Sequence, residues 1–191
     1  GGGFMFAMCS APDSFDIALA AEGVDICSEA FDYDAIDANA QEKLDFSKCF
    51  AFENFTIVTD PYTYEVSNID VPISRSRQVK EKDDFFTLFD FSAKWDWVPT
   101  MLTQNHSRII KGFMGQTTAF MKRFLKSSVI ILGENASLEE ARYIHGTYGK
   151  GTWTYLGGHD PEDYSHYVGD PVTDIDLHPN SSGYRLILNN I

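Results

Sequence analysis

The chain has 191 residues, 43% of them hydrophobic and 14% aromatic, and its 28 acidic side chains against 15 basic ones leave a formal net charge of −13. That length makes one globular domain, and so apolar a composition excludes a disordered chain. No apolar run reaches the roughly 20 residues that a membrane-spanning helix needs, and an acidic surface repels phosphate backbones, so the expected partner is a small-molecule substrate and not a nucleic acid.

The chain opens on Gly1-Gly2-Gly3 without a methionine and closes on Leu188-Asn189-Asn190-Ile191, inside what reads as an amphipathic helix. These ends predict a fragment of a longer chain, and they carry no message about a cytoplasmic or periplasmic location. Phe4-Met5-Phe6-Ala7-Met8 is a continuous apolar run of the kind that forms a strand buried on both faces of a parallel sheet. Cys9-Ser10 ends it. Ala11-Pro12-Asp13 then starts a helix through Phe15, Ile17, Ala18, Leu19 and Ala21, with Gly23 as its stop. Strand, tight turn and helix in this order are the unit of a doubly wound, open α/β sheet.

From 24 to 99, Asp, Phe and Tyr interleave with weak periodicity, and extended candidates occur at 55–58, 62–66 and 85–91. The stretch reads as a long insertion after the first helix, within a single domain spanning 1–191. Asp32-Tyr33-Asp34-Ala35-Ile36-Asp37 lacks the Gly and the final Glu of a calcium loop and reads as a solvated acidic loop. Arg75, Arg77, Lys80 and Lys82, flanked by acids, read as a solvated loop too. The cysteines Cys9, Cys27 and Cys49 are odd in number without CxxC spacing, so neither a disulfide framework nor a zinc site is expected, and no cofactor.

Further on, 112–125 reads as a connecting segment with helix, and Val129-Ile130-Ile131-Leu132 as another buried strand. Ala141-Arg142-Tyr143-Ile144-His145 and Thr152-Trp153-Thr154-Tyr155-Leu156 flank Gly146-Thr147-Tyr148-Gly149-Lys150-Gly151 as a hairpin. Its second arm runs into Gly157-Gly158-His159-Asp160-Pro161-Glu162. A Pro/Gly/Asp-rich loop follows, and then a helical pattern over 184–190 that is apolar on one face.

Chemistry is expected at one edge of the sheet. A cysteine between a strand and a helix meets unpaired N–H groups and a partial positive charge, which favour a thiolate and hold an oxyanion, and the small residues Ala7, Ser10 and Ala11 leave room for a sharp elbow. His159, after a strand and two glycines, emerges at the carboxyl end of its strand, where open α/β sheets place their sites. The same reasoning puts Cys9 there. His159 would take the thiol proton, and Asp160 and Glu162 are both within local reach to fix its tautomer. Gln104-Asn105-His106 follows a possible strand over 100–103 and is a pocket-lining candidate at the same edge. His145, His166 and His178 have no ligand spacing to one another and read as surface or capping residues.

The segment from Gly149 to Glu162 resembles the terminal strand-and-histidine segment of class I glutamine amidotransferase-like domains, especially their ThuA-like branch, and Phe4 to Ala11 resembles the nucleophile-elbow strand of that superfamily. Nearly the whole chain is similar to a group of Bacteroidetes proteins that carry the name asparagine synthetase B. The segments Phe86-Thr87-Leu88-Phe89-Asp90-Phe91-Ser92-Ala93-Lys94-Trp95 and His178-Pro179-Asn180-Ser181-Ser182-Gly183-Tyr184-Arg185-Leu186-Ile187-Leu188-Asn189-Asn190 support that likeness. The resemblance implies a flavodoxin-like three-layer α/β sandwich with a mostly parallel sheet, truncated here so that its N-terminal βα units are missing. It also implies a triad of Cys9 as nucleophile, His159 as base and Glu162 as orienter, releasing ammonia from glutamine through a thioester. The alternative within the same fold is a non-catalytic module binding a small molecule or carbohydrate, with Trp95 and Trp97 in its pocket.

Overall fold

Phe4–Met8 forms β1 and Ala11–Ala20 forms α1, in a computed structural model that describes residues 2–70, 80–89, 105–112, 119–164 and 167–190. Pro12 lies in the first turn of α1, where its missing N–H costs nothing, and Asp13 places a negative charge at the positive end of the helix. Gly23, at φ +80°, turns the chain away just beyond. The buried face of α1 is Asp13, Asp16, Ile17 and Ala20, spaced three and four apart, while Phe15 and Ala18 look outward. Two carboxylates thus occupy the stripe that periodicity assigns to apolar side chains.

The sheet corrects the expected architecture. Its strands are β2 (Phe85–Leu88), β3 (Ile109–Lys111), β4 (Phe120–Met121), β5 (Ile130–Asn135), β6 (Glu140–Tyr148) and β7 (Gly151–Leu156), in the order β1-β7-β6-β5-β2-β3, with β4 also beside β6. Among the described residues only β1 and β7 run parallel, and every other strand pairing is antiparallel. The result is a curled, mixed half-barrel and not a flavodoxin-like, mostly parallel sandwich. Connection length explains the difference. Parallel neighbours need a crossover of a dozen or more residues, whereas β5 reaches β6 through 136–139 and β6 reaches β7 through 149–150. Register shifts in β5 around Gly133 add to the curl.

Helices are correspondingly few. Among the described residues, α2 (Glu29–Asp32) and α3 (Ala40–Lys43) are single turns, and α4 (Ser182–Leu188) is the second helix of any length. On one face of the sheet α1 and the segment around Phe52 and Phe55 pack against Phe120, Trp153 and Tyr155. On the other, Leu186 of α4 joins Phe86, Leu132, Tyr143 and Leu156. β1 is the sheet edge among the described residues, with Phe4 half exposed, and not a strand buried on both faces.

Other expectations shift for local reasons. The hairpin turn is shorter than expected because Gly146 belongs to β6: a Cβ there would fall 2.3 Å from the Trp153 ring, so the glycine makes room for its cross-strand partner. Instead of a helix, the described part of 112–125 holds β4 and a 3-10 turn over Lys122–Phe124. The extended candidates at 55–58 and 62–66 come together only as a bridge between Ile57 and Ser67. Arg75, Arg77, His166, Trp95, Trp97 and 100–104 lie outside the described residues. No helix among the described residues is long and apolar enough to cross a membrane.

His145 is buried, not on the surface, and its Nδ1 lies 2.9 Å from Thr154 Oγ1. Burial pushes its pKa below the ordinary histidine value of 6.5. The unfolded chain therefore takes up this proton first, and the stability tied to the neutral ring, complete above pH 6.5, is lost as pH falls toward the folded value. The urea midpoint of the wild type is expected to drop between pH 7 and pH 5 by more than that of His145→Gln. Equal slopes would show that the ring is not held neutral.

Candidate functional site

The turn after β1 has the geometry of a nucleophile elbow. Cys9 has φ +61°, and Ser10 follows in the right-handed helical region as the N-cap of α1. A non-glycine residue with positive φ costs on the order of 1 kcal/mol, and such strain clusters where a side chain must be presented on a sharp strand-to-helix turn. Ser10 makes no side-chain cap, and Ala11 begins the helix directly behind the thiol.

Register ends β1 and β7 at the same edge of the sheet. β1 and β7 run parallel with Met8 opposite Leu156, so Cys9 comes level with Gly157. Neighbouring strands lie about 4.8 Å apart. Gly158, at φ +104°, redirects the chain, and the exposed His159 follows.

β6 runs on past the end of β7, and there β4 takes the vacated place, Phe120 opposite Ala141 and Met121 opposite Glu140. Met121 N–H donates to Ile69 O and Ala119 N–H to Asp70 Oδ1, which sets Ile69 and Asp70 on the far side of β4, ahead of the end of β1. The loop leading into them carries Tyr64. Burial, and after it the charge of a Cys9 thiolate, push the Tyr64 phenol above its ordinary range, with Asp70 and Glu65 adding to the effect. Sequence reasoning missed Tyr64 because it lies far from Cys9 along the chain in a stretch of weak periodicity.

The candidate carboxylates have defined partners. Asp160 Oδ1 accepts from Tyr184 O–H at 2.6 Å and Glu162 N–H at 3.0 Å, and Oδ2 accepts from Thr173 Oγ1 at 2.8 Å. Burial raises its pKa, but these bonds outweigh it and hold the carboxyl below the usual range. Glu162 Oε2 stands 3.5 Å from His178 Nδ1. His178 therefore pairs with a carboxylate of the site loop and is more than a surface residue. Asn105 Nδ2 donates to Ser182 O and His106 Nε2 lies 3.1 Å from Asn180 O, so both brace the start of α4. Gln104 lies outside the described residues.

No family model matches the chain, and no curated protein or solved structure does either. The site therefore has to be read from its own chemistry. Among the described residues no group of three or more His, Cys, Asp or Glu side chains converges to hold a metal ion. The environments of Cys27 and Cys49 oppose ionisation. A hydrogen bond with the Asp32 carboxylate, with burial after it, pushes the Cys27 thiol up. Cys49 is buried, donates to Asp16 O at 3.2 Å, and is pushed up to about 12 by burial and the nearby Asp16 charge.

Proposed function

We propose that the chain is a thiol-dependent hydrolase of carboxamides or related carbonyl compounds, with the chemistry of a class I glutamine amidotransferase. The observation that carries this reading is the positive φ of Cys9 at a strand-to-helix elbow, supported by the parallel register that ends β1 and β7 at one edge. Both are local features, independent of whether the rest of the sheet is parallel.

In this mechanism His159 accepts the thiol proton and the Cys9 sulfur adds to the carbonyl carbon, whose π pair moves to oxygen. Collapse of the tetrahedral species breaks the C–N bond, and the imidazolium returns its proton to the departing amine. A thioester remains on Cys9. Water, deprotonated by His159, then cleaves it. Glu162 is assigned the orienting role, its carboxylate steadied by His178.

The test is selective labelling by 6-diazo-5-oxo-norleucine, a glutamine-like electrophile, followed by peptide mapping. Cys9 is expected to react at least about tenfold faster than Cys27 or Cys49, whose environments oppose ionisation. Equal labelling of all three would overturn the reading. So would carbohydrate binding that Cys9→Ala leaves untouched, with no amide turnover.

A further inference from the structure

We propose that Tyr184 is a positioning residue for the Cys9 site: its phenol O–H grips the Asp160 carboxylate and so fixes the turn that carries His159 and Glu162, the assigned base and its orienter. This rests on the hydrolase reading above and adds a residue to it.

The turn needs such a grip. Gly157 N–H donates to Arg142 O at 2.8 Å, the last backbone bond that ties the end of β7 to β6. Gly158, at φ +104°, is a pivot directly after it, and His159 is exposed. The next residue is the anchor. Asp160 Oδ1 accepts from Tyr184 O–H at 2.6 Å and from Glu162 N–H at 3.0 Å, so a single oxygen joins the phenol to the backbone of the turn. Oδ2 accepts from Thr173 Oγ1 at 2.8 Å, and a carboxylate with a donor on each oxygen has a defined orientation. A length of 2.6 Å is that of a charge-assisted O–H bond, roughly twice as strong as a neutral one. Tyr184 is itself held in place. Its N–H donates to Ser181 Oγ at 3.2 Å in the cap of α4, and Leu186, two residues on, is fully buried in the core on that face of the sheet. The helix is thus the fixed point, and Asp160 passes its position to the residues on either side. A misplacement of about 1 Å in a reacting group costs on the order of 10²-fold in rate, so the grip bears on chemistry as well as on folding.

Tyr184→Phe removes one oxygen and keeps the ring. Its effect is read from alkylation of Cys9 by iodoacetamide, in which the sulfur displaces iodide, and from amide hydrogen exchange. At pH 7 the thiol needs a placed base to give up its proton, whereas at pH 10 it ionises unaided. The variant is expected to slow alkylation roughly tenfold at pH 7 while staying within about twofold of wild type at pH 10, and its Glu162 amide is expected to exchange faster. An unchanged rate at pH 7 overturns the proposal. An equal fall at both pH values overturns it as well, because access to the thiol or the fold itself would then have changed. So does a Glu162 amide that exchanges as in the wild type. His159→Ala tells this assignment from the reading beneath it. If that variant leaves the pH 7 rate untouched, the hydrolase reading fails and this assignment with it. If it slows alkylation and Tyr184→Phe does not, the assignment of Tyr184 alone fails.

Discussion

Cys9→Ala is expected to lower amide turnover by roughly 10⁴-fold or more, since a missing nucleophile leaves only binding and oxyanion stabilisation. Cys9→Gly is expected to lose turnover equally but to gain stability. At φ +61° glycine is unstrained and cysteine is not, so the glycine variant regains about 1 kcal/mol, or roughly 2–4 °C in Tm for a chain of this size. Alanine keeps the strained Cβ and gains nothing. The pair separates chemistry from conformation: one strained residue is retained where its side chain reacts, at the expense of stability. Turnover that survives both substitutions, or a glycine variant less stable than the alanine one, would count against the elbow as a catalytic device. Scanning calorimetry and a coupled ammonia assay read the two effects.

Asp16→Ala is expected to destabilise the fold by about 4 kcal/mol, lowering Tm by roughly 8–16 °C. Asp16 is fully buried on α1, yet its carboxylate serves four donors. Phe50 N–H at 3.0 Å and Tyr155 O–H at 3.1 Å reach Oδ1, and Ala51 and Phe52 N–H at 2.7 and 2.8 Å reach Oδ2. Removing it strands three backbone N–H groups, at about 1–3 kcal/mol each where water cannot replace the bond. Asp16→Asn keeps one acceptor but turns an N–H₂ against those donors, so its loss is of similar size. The clamp ties the helix behind the elbow to the segment over 49–52 and to β7, and urea unfolding measures it. A loss below about 1 kcal/mol would show that the segment finds other partners.

These two residues show why some of the molecule was legible and some was not. The β1–α1 unit could be read because its signals are neighbours: an apolar run, then Pro and Asp, then Gly. The β6–β7 hairpin and α4 are local in the same sense. Asp16 could not be read, because its donors lie more than 30 residues away and an aspartate in an acidic chain counts as surface. Asp84 and Arg142 repeat the lesson. They form a buried ion pair at 2.6 Å across 58 residues, with Tyr164 O–H donating to the second oxygen. A formal charge of −13 predicts an acidic surface, yet Asp13, Asp16, Asp84 and Glu140 are interior.

A cysteine between a strand and a helix, and a histidine after a strand and two glycines, are legible from the residues alone. Those are consequences of local propensity, which nearest neighbours decide. Long-range pairing alone sets β1 beside β7, leaves the rest of the described sheet antiparallel and curled, and ties Ile69 and Asp70 to the β4 segment. Strand pairing and burial are won in competition among contacts far apart in the chain, where short connections forbid parallel neighbours and a buried carboxylate is tolerated because distant N–H groups satisfy it.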